Sequence, residues 1–423
     1  MAMRRLHFHP CGNYKEHYAQ ELTIFETDFG RMWAIIGIAL LFGVVPFISS
    51  PYLLYVLNMT GIAAIAALGL NILIGFTGQI SLGHGAFFGV GAYAGAILAT
   101  TCGLPFWASV PAAGLITAGV GMIFGIPSGR LKGLYLTIAT LAGQFIIEYI
   151  LVHWESLTKG TMGIMLTEPA SLFGLEINSD TRFFYVIFFC LVCVTFMASN
   201  LMRTRYGRAF IAIRDNDRAA EGMGIPIFFY KLLSFAVSSF YAGFAGALWA
   251  YYMRSISTEP FTLGLSVEYI AMVIIGGLGS IPGSIFGAVF ITGLNEGLRF
   301  VTDAMMNMSA LSSFGLNMAS LREFAFGLAI VLFILIEPKG LAELWRLVRS
   351  TFRPNGDCAP IAAKADAHTN SAALVTARHT RRHAAHGASI MSTMLIMSKN
   401  CHHSLRSQTQ GCVTLALSQG GGA

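Results

Sequence analysis

Four polar residues, Asn71, Gln79, Ser81 and His84, stand between two long apolar runs. A polar side chain at membrane depth is costly unless it faces a pathway, a water-filled cavity or a partner helix. Glu148, in a later apolar run, meets the same cost. We therefore predict that these five residues belong to a substrate pathway. Two alternatives stay open: His84 as a neutral imidazole bonded to a helix terminus, and Glu148 reaching the membrane interface from the end of its span.

Glycine and polar residues dominate positions 75–83, between the same two runs. Irregular backbone at membrane depth is tolerated only where protein buries it or where it lines a cavity. The sequence therefore predicts a broken or re-entrant segment here. After it, Gly85, Gly89 and Ala92 recur every three or four positions, so a helix would place them on one face. Such a face lets a second helix backbone approach closely.

A second glycine repeat lies near the other end of the apolar region. Gly279, Gly283 and Gly287 are spaced four residues apart, which predicts another close contact between helices. The segments 75–85 and 276–287 also resemble each other loosely. Internal repeats are common in transporters, so this similarity is weak support for a repeated architecture.

The composition places these residues in an integral membrane protein. Hydrophobic residues make up 55% of the chain and charged residues 11%, whereas soluble domains carry about 25% charged residues. The mean hydropathy is +0.64. A membrane-spanning helix needs about 20 apolar residues, and we predict an all-α polytopic fold with about eight to ten such helices. The candidate spans are roughly 32–48, 52–74, 84–101, 106–127, 134–152, 183–202, 232–252, 267–279, 284–301 and 324–337.

The distribution of basic residues predicts the orientation. With the N-terminus inside, the inner segments carry sixteen Lys and Arg residues and the outer segments carry five. Cytoplasmic loops are enriched in these residues, so we expect both termini in the cytoplasm. The predicted organisation is a cytoplasmic segment 1–31, a transmembrane domain 32–350 and a disordered cytoplasmic tail 351–423. Residues 1–31 show no cleavable signal peptide, because charged residues interrupt them throughout.

Motifs for phosphate binding or catalysis are missing from the sequence. The dipeptide Gly-Lys, which a Walker A loop requires, does not occur in the chain. If ATP supplies energy, another polypeptide must hydrolyse it. The sequence also contains no recognisable metal or nucleophile motif. We therefore expect that the chain is not an enzyme, and that it binds no cofactor, metal or nucleic acid.

The longest predicted inner loop, 203–231, has the pattern of two short helices. The first helix is predicted at residues 207–213, and the second helix is predicted to begin with a cap at Asn216 or Asp217. Gly224 and Pro226 end it. Topology alone would explain the arginines but not a capped helix with a defined end, so we predict a surface that docks a partner. Its candidate residues are Arg214, Asp215, Asn216, Asp217, Arg218, Glu221 and Gly224.

Three stretches, in order along the chain, resemble the LivM-type permease of branched-chain amino-acid ABC transporters. They are GQISLGHGAFFGVGAY at 78–93, GRAFIAIRDNDRAAEGMGI at 207–225 and GGLGSIPGSIFG at 276–287. The resemblance covers about residues 31–350 and ends near Arg353. It implies a bacterial inner-membrane importer with two cytoplasmic ABC ATPases, a second and non-identical permease, and a periplasmic solute-binding protein. The loop from Arg214 to Ile225 would then be the helix that couples to the ATPase.

Two other functions compete with an ATP-driven importer. A self-sufficient secondary transporter or channel would use intramembrane acids such as Glu148, but acids within the spans are scarce. An intramembrane enzyme would pair His84 with a carboxylate, but it lacks a recognisable nucleophile or metal site. Branched-chain amino acids are the solutes that the resemblance implies. Related permeases carry other small polar solutes, so the sequence alone does not fix the solute.

Overall fold

The computed structural model describes most of the predicted transmembrane domain. The described residues are 45–306 except 130, 132, 167–170, 173–174 and 178, together with 318–336, 340–342 and positions 32, 37, 42 and 43. The predicted segments 1–31 and 351–423 lie outside them.

Helices make up nearly all of this part of the chain. They are α1 (Val45–Ile48), α2 (Pro51–Asn71), α3 (His84–Thr100), α4 (Phe106–Gly125), α5 (Leu134–His153), α6 (Glu155–Thr158), α7 (Asp180–Arg203), α8 (Arg205–Asp215), α9 (Asp217–Gly222), α10 (Ile227–Met253), α11 (Leu263–Gly276), α12 (Ile281–Met306) and α13 (Met318–Ile336). A π-helix covers Ile72–Phe76, and short 3-10 helices cover Ile126–Gly129 and Gly160–Met162.

The all-α membrane fold predicted from the sequence is confirmed. Five of the described helices are long and apolar enough to cross a membrane: α2 with the π-helix, α4 with its 3-10 extension, α5, α7 and α10. Each of the last nine predicted spans corresponds to one helix from α2 to α13. The first predicted span, 32–48, lies mostly outside the described residues. The eighth is short as predicted, and the ninth is longer than predicted.

Helix α2 forms the centre of the bundle. In the most apolar 18-residue stretch of α2 and its π-helix, 89% of the stretch is buried, against 33% of the corresponding stretches of α5 and α7. It packs against α7, α10, α11 and α12. Its residues are apolar on every side, which is the pattern of a helix surrounded by other helices. The polar residues Asn58 and Asn71 are also buried, so they require partners from those neighbours.

Two pairs of short strands lie in the connections between helices: the first joins two of these connections, and the second is a hairpin within one of them. Ile164–Met165 pairs with Ser255–Ile256 in antiparallel register, and Ser171–Leu172 pairs with Leu175–Glu176. We call the end of the bundle that carries residues 203–231 the loop end, and the opposite end, with the first strand pair, the far end.

Small residues let α3, α4 and α10 approach one another. A Cβ added at Gly91 would overlap the backbone of Gly243, and one added at Gly243 would overlap the Thr117 side chain. Where helices are surrounded by lipid, close backbone packing of this kind is a principal source of association. This contact was not predicted, because Gly91 lies off the helix face formed by Gly85, Gly89 and Ala92.

We expect Gly91→Ala to destabilise the bundle, because the new methyl group meets backbone that cannot rotate away. Overpacking of this kind typically costs about 1–3 kcal/mol. Gly119→Ala in α4 is the matched control, since nothing lies within 4 Å of its added Cβ. Alanine there should be neutral or slightly stabilising because of its higher helix propensity. Thermal unfolding of the two purified variants measures the difference, and equal midpoints would contradict the predicted backbone contact.

Candidate functional site

The central helix is interrupted at the loop end of the bundle. After Asn71 the helix widens into the π-helix, which ends at Phe76, and α3 begins only at His84. Thr77 Oγ1 donates to the Ile72 carbonyl at 3.0 Å, and Gly78 has a left-handed φ of +72°. The predicted break near 75–83 is therefore present. The π-helix before it was not predicted; such bulges occur frequently at functional sites.

Asn71 joins the interrupted helix to the turn between α11 and α12. Its Nδ2 atom donates to the Ser280 carbonyl at 2.8 Å and to Ser284 Oγ at 2.7 Å. Its Oδ1 atom accepts from the Gly279 amide at 2.9 Å. The side chain is almost fully buried. Asn71 is thus bonded through both ends of its amide to a partner helix and the turn before it, a situation expected of a polar residue at membrane depth.

His84 and Ser81 are also buried among protein groups. His84 Nε2 lies 2.9 Å from the Ala66 carbonyl, and the ring meets Tyr269 edge-on at 5.6 Å. Ala66 is inside α2, so the imidazole does not bond a helix terminus as the alternative interpretation proposed. Ser81 Oγ accepts from the Gly83 amide at 3.3 Å within the break. His84 therefore joins the start of α3 to α2, whereas the Ser81 hydrogen bond lies within the break.

Gln144 and Ser266, absent from the predicted site, cap the start of α3. Gln144 Oε1 accepts from the Ala86 amide at 2.8 Å, and Ser266 Oγ accepts from the Gly85 amide at 2.8 Å. The first amides of a helix have no partner within it, so these contacts meet that need. The sequence signal was a glutamine in an apolar run, one turn from Glu148. Glu148 itself is partly exposed and lies outside this buried cluster.

The predicted small-residue stripe on α3 faces the start of α11 and the loop before it at Gly85 and Gly89, and α10 at Ala92. A Cβ added at Gly85 would lie 2.9 Å from Ser266 Oγ, and one added at Gly89 would lie 2.9 Å from the Phe261 ring. Ala92 is fully buried, and its amide lies 3.0 Å from a Cβ added at Gly246. The three residues therefore lie in close contacts.

The second glycine repeat differs from the prediction at its first member. Gly283 and Gly287 lie on α12 against the backbone of α11. Gly279 lies in the preceding turn with φ of +75°, so it does not share their helix face. Gly276 of α11 occupies the facing position instead. Gly279 packs against Gly75, and the two glycine-rich segments that resemble each other in sequence thus meet at the break.

The two predicted short helices of the loop 203–231 are present as α8 and α9. Asn216 caps α9 by accepting from the amides of Arg218 and Ala219 at 3.1 and 3.2 Å. Gly224 has φ of +81°, and the Ile225 amide donates back to the Ala220 carbonyl at 3.1 Å. This closure ends the helix in the way the sequence indicated.

Charged residues of the loop lie mainly on its surface. The predicted docking residues are exposed except for Asp217, which is partly buried. Asp217 Oδ2 forms a 3.0 Å ion pair with Nζ of Lys231, whose side chain is only 6% exposed. Met223, between Glu221 and Gly224, is 77% exposed. A buried ion pair therefore joins α9 to α10, and the outer surface of α9 carries charged and apolar groups.

Arg214, at the end of α8, reaches the interrupted helix directly. Its Nη1 atom donates to the Gly75 carbonyl at 2.9 Å, while Nε contacts Asp215 at 3.2 Å. A Cβ added at Gly78 or Gly279 would lie 3.1 Å from the Arg214 side chain. The last carbonyls of a helix carry partial negative charge and no internal partner, so a cation there is stabilising. Because Gly78 and Gly279 have no side chains, the Arg214 side chain fits between them and the Gly75 carbonyl without a steric clash.

A polar pocket of about 300 Å³ lies between the loop and the break. Gln79 lines it; its Nε2 atom donates to Ser234 Oγ at 2.7 Å, and Ser234 Oγ donates to the Lys231 carbonyl at 2.7 Å. Gln79 Oε1 has no hydrogen-bond partner among the described residues although it is buried. The pocket is lined by Thr77, Gly78, Gln79, Leu131, Gly133, Leu136, Ile213, Arg214, Asp215, Asn216, Asp217 and Lys231. Gln79 and four of the predicted docking residues thus line the same pocket, although the sequence predicted two separate sites.

The apolar helices form a bundle with an interrupted helix at its centre, and a charged helix pair is bonded to the interruption. This arrangement is typical of a membrane transport protein. The chain belongs to the family described as branched-chain amino acid transport system / permease component, which matches residues 52–335. It is therefore a membrane-spanning permease component of an ABC transport system, and its relatives are permeases rather than enzymes.

Individual relatives agree with the family. The chain is 34% identical over 286 residues to the high-affinity branched-chain amino acid permease LivM of Salmonella typhimurium and 33% identical to that of Escherichia coli. Each match covers 62% of this chain and 67% of the relative. A probable ABC transporter permease of Sinorhizobium fredii is 29% identical over 63% of this chain and 75% of its own length. No solved structure matches the chain.

Proposed function

We propose that this chain is the permease subunit of an ATP-driven importer for branched-chain amino acids or a related small polar solute. The loop end lies in the cytoplasm, the membrane is the bacterial inner membrane, and both termini are cytoplasmic. The observation that carries the proposal is the contact between Arg214 and the Gly75 carbonyl. It connects a surface helix pair, suited to a separate motor subunit, to the interruption in the central helix.

The same arrangement and the family support the following proposed partners. Two cytoplasmic ABC ATPases bind at the loop end and hydrolyse ATP, which this chain does not bind. A second, non-identical permease completes the translocation path, and a periplasmic binding protein delivers the solute to the far end. Docking of an ATPase on α9 would displace α8, and Arg214 would carry that displacement to the break beside Gln79 and the loop-end pocket.

We expect Arg214→Gln to uncouple ATP hydrolysis from transport. The substitution removes a charged hydrogen bond to the Gly75 carbonyl, and bonds of that type contribute about 1.5–3 kcal/mol. The number of solute molecules taken up per ATP hydrolysed should fall about tenfold or more. The measurement is uptake and hydrolysis by the assembled transporter in proteoliposomes.

Arg208→Gln is the matched control for this experiment. Arg208 is also exposed on α8, but its guanidinium donates to the Arg203 carbonyl within the loop at 3.3 Å. Its ratio of uptake to hydrolysis should equal that of the parent protein. An unchanged ratio in Arg214→Gln, at equal membrane abundance, would refute the proposed coupling.

A further inference from the structure

A second pocket, of about 360 Å³, opens at the far end of the bundle. It lies between α2, α10, α11 and α12, and the loop before α11 closes one side. Its volume falls in the usual range for small-molecule sites, about 300–1,000 Å³. None of the residues predicted from the sequence as pathway residues lines it. We call it the far-end pocket.

Aromatic rings form the deep part of the far-end pocket. Phe88, Trp249, Phe261 and Tyr269 all line it. The Phe88 ring lies 6.1 Å from Trp249 and 5.8 Å from Tyr269, and Trp249 lies 5.5 Å from Phe261. Such rings pack well against aliphatic groups, and their faces also attract cations. The deep part of the pocket therefore suits an apolar body with a positive charge nearby.

One wall of the far-end pocket carries a carboxylate within a membrane helix. Glu268 of α11 is half-buried, and its Oε1 atom accepts from Asn295 Nδ2 at 2.8 Å. A neutral amide satisfies a hydrogen bond but does not offset the charge. A half-buried carboxylate in the first half of an apolar helix is costly unless a partner offsets its charge. Arg299 interacts electrostatically with Glu268, and a ligand ammonium beside Glu268 would add a positive charge in direct contact with the carboxylate.

The rim of the pocket supplies the opposite charge. Arg299 donates from Nη1 to Glu296 Oε1 at 3.1 Å, and Tyr52 donates to Glu296 Oε2 at 2.6 Å. Both oxygens of Glu296 are therefore bonded to protein groups. The Arg299 side chain is 49% exposed and has five N–H donors, so it can also hold a carboxylate at the pocket mouth.

We propose that the far-end pocket is a solute site for zwitterionic amino acids with aliphatic side chains, in which Glu268 holds the ammonium and the aromatic rings hold the side chain. Arg299 holds the carboxylate. This inference rests on the proposed import function and adds to it a site inside this single chain. The Tyr269 ring meets His84 edge-on, so the pocket ends at the buried polar cluster that separates it from the break.

The test uses the purified full chain in lipid nanodiscs and three probes: L-leucine, isoamylamine, which lacks the carboxylate, and 4-methylpentanoate, which lacks the ammonium. We expect leucine and isoamylamine to bind competitively and 4-methylpentanoate to compete much more weakly, because it lacks the ammonium that Glu268 holds. Glu268→Gln preserves the acceptor for Asn295 but removes the charge, and it should weaken binding of both amines about tenfold or more. Glu259→Gln, an exposed carboxylate in the neighbouring loop, should change nothing.

Trp249→Leu provides a second variant that does not depend on the carboxylate. It removes one aromatic face, and it should weaken isoamylamine binding while leaving the ion pair of Arg299 intact. Failure of leucine to bind the parent chain, equal competition by 4-methylpentanoate, or unchanged affinity in Glu268→Gln would overturn the inference. If the assembled transporter imports leucine normally with Glu268→Gln, the site is wrong but the import function stands. If the assembled parent transporter imports no amino acid, the import function itself is wrong.

Discussion

The double variant Glu221→Trp and Gly224→Trp is expected to abolish ATP-driven uptake while the chain still inserts into the membrane. Both residues are exposed at the end of α9, where we propose that an ATPase docks. Tryptophan at Gly224 would also occupy a left-handed conformation, φ +81°, which costs a non-glycine residue about 1–2 kcal/mol. The bulky rings should block docking, and the strain should disturb the end of α9. Co-purification of the ATPase and uptake in proteoliposomes measure the two effects.

A matched control exists at the opposite end of the bundle. Glu155→Trp with Gly103→Trp places the same residues at two exposed far-end positions, and Gly103 has a similar φ of +62° with no atom near its added Cβ. This variant should retain its ATPase in co-purification, because both positions lie away from α9. If the α9 variant also co-purifies with the ATPase and transports normally, docking takes place elsewhere.

Lys231→Met is expected to lower the free energy of unfolding by about 3–5 kcal/mol, the usual cost of removing one partner from a buried ion pair. The pair between Lys231 and Asp217 spans 3.0 Å, with side-chain exposures of 6% and 19%. Methionine keeps most of the side-chain volume, so the main loss is the ammonium that offsets the Asp217 carboxylate. Unfolding in mixed detergent micelles measures the change.

A double-mutant cycle tests the cause of this loss. Adding Asp217→Asn to Lys231→Met removes the carboxylate that has lost its lysine partner, so the double variant should recover part of the lost stability. Lys159→Met replaces an exposed lysine at the far end and should change stability by no more than about 0.5 kcal/mol. If the two single lysine variants are equally stable, the buried pair contributes nothing to folding.

Local patterns were sufficient to predict the membrane helices, the break and the helix pair. Each of these features depends on residues close together in the chain: an apolar run of about 20 residues, a glycine-rich interruption, or a cap such as Asn216 with Gly224. The π-helix at Ile72–Phe76 was not predicted, because the apolar run has the same composition in an α-helix and in a wider one.

The sequence by itself determined that this protein is a helical membrane protein, where the helix at its centre is interrupted, and that one loop carries a capped helix pair. The length of an apolar run and the capping of a helix are local properties, so they can be recognised in the sequence without the tertiary structure. Only the tertiary structure decided the partners of the polar residues. Asn71 bonds Ser280, 209 positions away, and Arg214 bonds Gly75, 139 positions away. A hydrogen bond depends on distance and direction in space, and packing of the helices sets both.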